Sequence, residues 1–487
     1  MIKMRIALVW PKGFDIEYVM PLPYGYLKSN LDEAKHIVQI FDCSLKSIRA
    51  DSPEFRKLLE EFKPDVVGVS CWSPTYEEGI RVLQVAKSIN PKIVTVIGGA
   101  HASSYPDAIM KNDVVDYLFD GESELSFPVF LEELENQQPD WSKVKGLVYR
   151  SVDGTTLVKN NSEREENMDI IKIPDYDAMN LLGYIKSGYR FNTTVKDNAP
   201  VWVTRGCPYR CQYCAAPQLN GRLIRAHSVE YMVNMVKFLY NERGIRQINI
   251  IDDNFTFDMK YAKEFCRAMI DLNLKDLHFG TPNGIRIQRT DFELLQLMKT
   301  AGWENVVVAP ESGSVSTLQR MKKDLDPAII KPKVEEIRKA GLKVHGFFII
   351  GYPGDTISDI KDTIKMLREC RFNFFFLNNF QPLPGTPIYD ELVNKGEIAD
   401  GLLPKNYSGG ERVYVPQGLK EFNFAKFVLK EYVHLMVTEP LNIPYVIKLI
   451  SPKMIVKKVF SNIKNTILPP QIPSQGISEQ VMVSEAS

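Results

Sequence analysis

Apolar, β-branched runs alternate with amphipathic stretches along most of the chain, and the alternation falls into two blocks. In the first, residues 5–10, 37–41, 66–70, 93–98 and 117–120 read as strands, while 54–62 and 76–89 carry apolar side chains at helical spacing. Strand and helix in turn predict an α/β fold, with a doubly wound, Rossmann-like parallel sheet over 1–150. Ligands of such sheets lie beyond the carboxyl ends of the strands. In the second block, strands are expected at 201–204, 247–251, 277–281, 305–309, 344–350 and 374–380, with helices at 229–242, 260–272, 290–301, 328–340 and 357–370. Six such units over 197–392 predict a partial (β/α)6 barrel of TIM type, whose chemistry belongs on the loops after the strands. Polar residues 151–196 read as a linker, 393–470 as a mainly helical C-terminal region, and 471–487 as a disordered tail.

Composition narrows the class without naming a chemistry. The 487 residues are 44% hydrophobic and 25% charged, an ordinary globular balance, and the length suggests about three domains. Lys plus Arg equals Asp plus Glu at 60 each, so no overall charge favours nucleic acid. The start, MIKMRIALVW, enters a strand-like run without a signal-peptide pattern, and no stretch of about eighteen uninterrupted apolar residues occurs. A cytoplasmic protein is expected, where disulfides are unusual and clustered cysteines read as metal ligands.

Three of the seven cysteines, Cys207, Cys211 and Cys214, fall in the string RGCPYRCQYCAAP just after the expected strand 201–204. Chance would give that double spacing on the order of one time in a thousand. Thiolates spaced CxxxCxxC on one tight loop can hold three corners of a cubane iron–sulfur cluster and leave the fourth iron open. The alternatives are a zinc knuckle, for which His227 is the nearest further donor, and a set of inert buried thiols. Cys43, Cys71, Cys266 and Cys370 stand singly in apolar surroundings and read as core residues.

Other strand ends carry small or polar residues. In the first block these are Ser70-Cys71-Trp72, Gly98-Gly99-Ala100-His101 and Gly121-Glu122, where Gly98 and Gly99 fit either a ligand approach or a tight turn. In the second block, Asp252-Asp253-Asn254, Asn283-Gly284-Ile285-Arg286, Glu311-Ser312 and Gly351-Tyr352-Pro353-Gly354 converge on one rim, although each acid taken singly also reads as a helix cap.

These motifs, in this order, resemble the radical S-adenosylmethionine enzymes that carry an N-terminal cobalamin-binding domain, the branch of the class B methyltransferases and the anaerobic magnesium-protoporphyrin ester cyclase. The resemblance covers Arg5 to about Tyr389. It implies a four-iron four-sulfur cluster on Cys207, Cys211 and Cys214, with S-adenosylmethionine chelating the open iron. Tyr213 matches the aromatic residue beside adenine, Asp252-Asp253 the motif near the methionine amino group, Glu311-Ser312 the motif meeting ribose, and Gly351 the fifth-strand motif; Asn283 and Arg286 share the same rim. Pro382-Leu383-Pro384-Gly385-Thr386-Pro387 matches the sixth-strand ending. Upstream, Pro21-Leu22-Pro23-Tyr24-Gly25-Tyr26-Leu27 and the strand ends at Ser70, Trp72, Gly98, Gly99, His101, Gly121 and Glu122 resemble a cobalamin site.

The histidine of the DxHxxG loop is absent, because that stretch is Pro11-Lys12-Gly13-Phe14-Asp15-Ile16. Cobalamin bound without a histidine ligand is therefore implied, with Trp72 as the candidate facing cobalt from below. The implied chemistry is reductive cleavage of S-adenosylmethionine to a 5'-deoxyadenosyl radical, with an electron from a flavodoxin or ferredoxin, and methylation of an unactivated carbon in a small-molecule or lipid-like substrate. Cyclisation or oxidation is the enzymatic alternative, and a cobalamin or redox sensor the non-enzymatic one. Oxygen sensitivity follows from the open cluster. Near the C-terminus, Ile455, Val459, Ile463 and Ile467 form a stripe flanked by Lys453, Lys457, Lys458 and Lys464, which fits a helix packed on the barrel or a peripheral membrane contact.

Overall fold

The computed structural model describes residues 3–13, 19–154, 156–403 and 414–449. The N-terminal block forms a seven-stranded sheet from β1 (Met4–Trp10), β2 (His36–Asp42), β3 (Val66–Ser70), β4 (Val94–Gly98), β5 (Tyr117–Phe119), β6 (Leu147–Arg150) and β7 (Leu157–Lys159). The spatial order is β2-β1-β3-β4-β5-β6-β7. The first five strands run parallel, and β6 and β7 close the edge as an antiparallel hairpin. This hairpin carries the sheet past residue 150, into the segment expected to be a linker. Helices Pro53–Phe62 and Tyr76–Ile89 cover one face, where Phe55, Leu59 and Leu83 bury against Val67 and Val69.

The second block holds β8 (Asn198–Val201), β9 (Thr204–Arg205), β10 (Arg225–Ala226), β11 (Gln247–Ile250), β12 (His278–Gly280), β13 (Asn305–Glu311), β14 (Lys343–Ile350) and β15 (Phe374–Asn379). Two parallel three-stranded sheets, β12-β11-β8 and β13-β14-β15, are linked by the bridges Phe279–Trp303 and Ile285–Val308. Trp303 fills the junction: it is 1% exposed and stacks on Phe279 at 4.7 Å. The strand expected at 201–204 is split. Val201 ends β8, and Thr204 begins β9, which pairs antiparallel with β10. The cause is Asp252, whose carboxylate accepts the amides of Val203 and Thr204, at 2.8 and 2.7 Å, and the Thr204 hydroxyl at 2.8 Å.

The segment between the blocks is glue rather than slack. Tyr176, Tyr184 and Tyr189 are fully buried, with Tyr176 donating to Pro200 O at 2.7 Å and Tyr184 to Asp42 at 2.6 Å. Beyond the barrel strands, helix Phe424–Thr438 starts where Asn423 accepts from the Lys426 amide, and lays Tyr432 flat on Phe375 at 5.0 Å. No helix of the described residues is long and apolar enough to cross a membrane. The apolar stripe of 453–467 and the tail of 471–487 lie outside the described residues.

The two blocks are joined by a buried ion cluster. Arg205, 2% exposed, lies over the rings of Tyr26 and Trp202 and pairs with Glu124 at 2.7 Å and Glu122 at 3.4 Å. Arg225 grips both oxygens of Glu122. Burial opposes the charge on Glu122, but the hydrogen bonds from Arg225 and the two guanidinium charges outweigh it and hold the carboxyl below its ordinary range. Removing one partner of a buried pair strands the other charge, at a cost of about 3–5 kcal/mol. Glu122→Ala is therefore expected to lower the apparent unfolding midpoint by calorimetry clearly more than Glu132→Ala, whose pair with Lys35 is exposed.

Candidate active site

The cysteine loop leaves β9 through Gly206, which adopts φ +96° and presses so closely on Leu223 O that a Cβ would collide with it. Only glycine fits that turn at low cost. Cys207 donates its amide to Gly221 O at 3.0 Å, and Cys214 to Cys211 O at 3.3 Å, so the backbone wraps the three half-buried thiols on one short arc. Burial pushes the Cys214 thiol up to about 12 and raises Cys207 as well, with Asp253 and the neighbouring thiols adding to the effect. Such thiols give up their protons only to a metal, so loading releases protons.

Arg286 braces the loop. Its guanidinium donates to Cys211 Sγ at 3.2 Å and to Asp324 O at 3.4 Å, and lies 3.3 Å from the centre of the Tyr209 ring. Expected at S-adenosylmethionine, Arg286 instead meets a cluster thiol. Donors to sulfur are among the features that set a cluster's potential. The zinc alternative lacks its further donor: His227 is wholly buried, stacks on Tyr231 at 3.9 Å and faces Asp169 at 3.4 Å. Among the described residues no three His, Cys, Asp or Glu side chains converge on a single ion. The CxxxCxxC spacing itself suits a cubane.

Beside the loop, Tyr213 donates to Glu311 Oε1 at 2.9 Å, and Lys323 donates to the same oxygen at 2.8 Å. Glu311 sits at φ +67°, where the register of β13 and β14 shifts. Both bonds fall on Oε1, which leaves Oε2 for a ligand. Ser312 is turned to Thr363 Oγ1 at 2.9 Å and shapes the turn. Asp252 is committed to the backbone of Val203 and Thr204 rather than to the rim, and burial pushes its carboxyl up to about 7 despite those donors. Asp253 accepts from Asn220 at 2.8 Å, and Asn283 ties the next loop to Ile251 O at 2.6 Å. Gly351 lies under the Phe424 ring of the C-terminal helix. Asn254 and Thr281, each 2% exposed, have side-chain polar atoms without a partner among the described residues. Such groups fit a polar ligand, because an unmade buried hydrogen bond costs about 1–3 kcal/mol.

Across from this rim stand the carboxyl ends of the N-terminal sheet. Tyr24 is a girder, donating to Val9 O and accepting from the Ser70 amide, both at 2.6 Å. Trp10 packs edge-on against Tyr24 and Trp72, at 5.6 and 6.3 Å. Gly99, at φ +92°, makes the tight turn, with an added Cβ only 2.9 Å from the backbone of Cys71. At Gly98 and Gly121 an added Cβ would meet Phe119 at 3.8 Å and Arg164 at 3.5 Å, ordinary contact distances, so neither position is as crowded as Gly99. His101 is spent on Ser73 at 3.1 Å, and burial lowers it to about 4. Glu122, expected at cobalamin, is consumed by the ion cluster. Small strand ends beside an indole floor fit a flat macrocycle.

Sequence reading missed Arg205, Arg225 and Lys323. No local pattern marks them, since Arg225 and Glu122 are 103 residues apart and Lys322-Lys323-Asp324 resembles a solvated charge run.

Comparison with known proteins agrees with this geometry. Residues 201–367 match the model of the radical SAM superfamily, and 17–131 that of the B12 binding domain. The chain is 30% identical to the cytidylyl-2-hydroxyethylphosphonate methyltransferase of Streptomyces wedmorensis, over 80% of this chain and 81% of that one. It is 25% identical to the anaerobic magnesium-protoporphyrin IX monomethyl ester cyclase of Rubrivivax gelatinosus, over 81% and 69%. In fold it resembles the radical S-adenosylmethionine methyltransferase TsrM of Kitasatospora setae, with a TM-score of 0.70 and 16% identity across 89% of both chains. The thiol arc, the Glu311 site and the sheet edge thus belong to a cobalamin-dependent member of the radical SAM superfamily, whose cofactors are a four-iron four-sulfur cluster, S-adenosylmethionine and cobalamin.

Proposed function

We propose that this enzyme transfers a methyl group to an unactivated carbon of a small organic molecule. The observation that carries the reading is the seam between the two blocks. Helix Ala100–Ser104, which follows Gly99, packs on helix Ala216–Asn220, which begins two residues after Cys214. From the connecting segment Arg164 donates to the carbonyls of Gln218 and Leu219 at 2.8 and 3.0 Å, and Gly385 of the second block lies against Ser104 of the first. This packing brings the helix after the cysteine loop against the helix after Gly99, which supports cofactor seats that face one another. On this reading the six parallel strands β8 and β11 to β15 form a partial (β/α)6 arc beside them. Similarity to a methyltransferase over four-fifths of both chains supports methyl transfer over cyclisation.

When bound, the cofactors supply reductive cleavage of S-adenosylmethionine to a carbon radical and a transferable methyl group. This chain's residues bind, orient and exclude water. Cys207, Cys211 and Cys214 hold the cluster, and Arg286 fixes the central thiol. Tyr213 and Glu311 would orient S-adenosylmethionine beside it, with Glu311 Oε2 as an acceptor rather than a general acid, and Ser312 shapes the turn that carries Glu311. Asn254 and Thr281 offer unpaired polar atoms to a polar ligand, and Asn283 and Gly351 frame the same mouth. At the edge of the N-terminal sheet, Ser70, Trp72, Gly98 and Gly121 would hold the cobalamin. A small flavodoxin or ferredoxin is the electron donor that fits this chemistry.

Anaerobic turnover of the reconstituted enzyme with methyl-labelled S-adenosylmethionine and cell-extract metabolites tests the reading. Formation of 5'-deoxyadenosine, S-adenosylhomocysteine and a labelled metabolite is expected. Deoxyadenosine with an unlabelled, oxidised or ring-closed product would favour the cyclase alternative instead. Asp252→Asn puts an amide donor against a backbone donor, so reconstituted iron should fall by at least about half, whereas Asp253→Asn retains iron near the wild-type level; iron assay separates them. Trp72→Ala is expected to shift the visible spectrum of bound cobalamin and lower its occupancy, and an unchanged spectrum removes Trp72 from the cobalt's lower face.

A further inference from the structure

Lys323 is an unusual residue to find in this place. It is 5% exposed, and lysine is rarely so buried without a partner that needs its charge. Its ammonium lies 2.8 Å from Glu311 Oε1 and 3.1 Å from the Tyr213 hydroxyl. The backbone around it is bent to reach them. Lys322 and Asp324, its two neighbours, both adopt left-handed conformations, at φ +48° and +51°, as does Glu311 at +67°. Non-glycine residues in that region are strained, and such strain persists only when the surroundings over-determine it.

The surroundings do so from both sides of the turn. Met321 O accepts the amide of Gln212, which lies between the second and third cysteines, at 2.9 Å. Asp324 O accepts from Arg286, the same guanidinium that meets Cys211, and from Gln288 at 2.7 Å. The turn Met321–Asp324 is thus fastened to the cysteine loop, and its one inward charge is aimed at Glu311. Lys323 and Tyr213 both bond Oε1, which fixes the carboxylate and leaves neither of their bonds on Oε2.

We infer that Lys323 is a positioning residue for S-adenosylmethionine: it holds Glu311 turned so that Oε2 accepts a hydroxyl or ammonium donor of that molecule. The inference rests on reading this rim as the S-adenosylmethionine site. Lys323 itself touches none of the reacting atoms. A charge-assisted hydrogen bond on a buried carboxylate is worth enough that its loss weakens a dependent ligand by about tenfold or more.

The test compares wild type, Lys323→Met and Lys323→Arg as anaerobically reconstituted full-length proteins. Iron and sulfide content, equilibrium dialysis of S-adenosylmethionine, and the change that S-adenosylmethionine causes in the electron paramagnetic resonance signal of the reduced cluster are measured for each. Lys323→Met is expected to hold iron near the wild-type level, to bind S-adenosylmethionine at least about tenfold more weakly, and to need correspondingly more of it for the same spectral change. Lys323→Arg, which keeps the charge, is expected to recover most of the affinity. Unchanged affinity in Lys323→Met beside a normal wild type would overturn the inference alone. So would loss of iron in both variants, which would make the turn a brace for the loop and nothing more. A wild type with full iron that binds no S-adenosylmethionine would instead bring down the reading of the rim and the inference with it.

Discussion

The guanidinium of Arg205 is the point on which the molecule turns. A loop of three thiols has almost no apolar surface of its own and cannot hold its shape by burial, so its position must be imposed from outside. Arg205 stands two residues before Cys207 and is held from two directions: the stacked rings of Tyr26 and Trp202 lie against it, and Glu122 and Glu124 reach across from the N-terminal sheet. A buried guanidinium lacking those carboxylates would be intolerable, and carboxylates lacking it equally so. The docking of one domain on the other and the placement of the cysteine loop are therefore a single event.

From that anchor the rest of the site follows outward. Gly206 turns the chain, Asp252 pins the amides of Val203 and Thr204, and Arg286 reaches the middle cysteine from the loop after β12. The turn Met321–Asp324 closes the circle. Each brace is polar, directional and shielded, which suits a loop that must be located to a fraction of an ångström and yet keep room above it. The apolar core, in contrast, does undirected work: Trp303 and its aromatic neighbours join the two barrel sheets without touching the chemistry.

What the sequence revealed, and what it hid, divides along the same line. Strands such as β1, β3 and β14 were legible because β-branched runs declare themselves locally, and the three cysteines because their spacing is itself the signal. The break between β8 and β9 was not, because its cause, Asp252, lies 49 residues from the amide it captures. Glu122 and Asp252 read as ligand contacts for the sound reason that polar residues at strand ends often are; here their partners came from elsewhere in the chain. Hairpin β6–β7 hid among polar residues, and Lys323 in a charge run. Local pattern reports periodicity and spacing, whereas a buried charge is explained only by the residue that folding brings to it.

The seclusion of the Arg205 cluster has a consequence for the enzyme in solution. Surface pairs weaken as salt rises, since free ions screen charges over about 8 Å at physiological strength. Buried where the two domains meet, beside the stacked rings of Tyr26 and Trp202, this one is shielded from dissolved ions. The docking of the N-terminal sheet on the cysteine-loop side is thus held by charges whose grip ionic strength scarcely loosens.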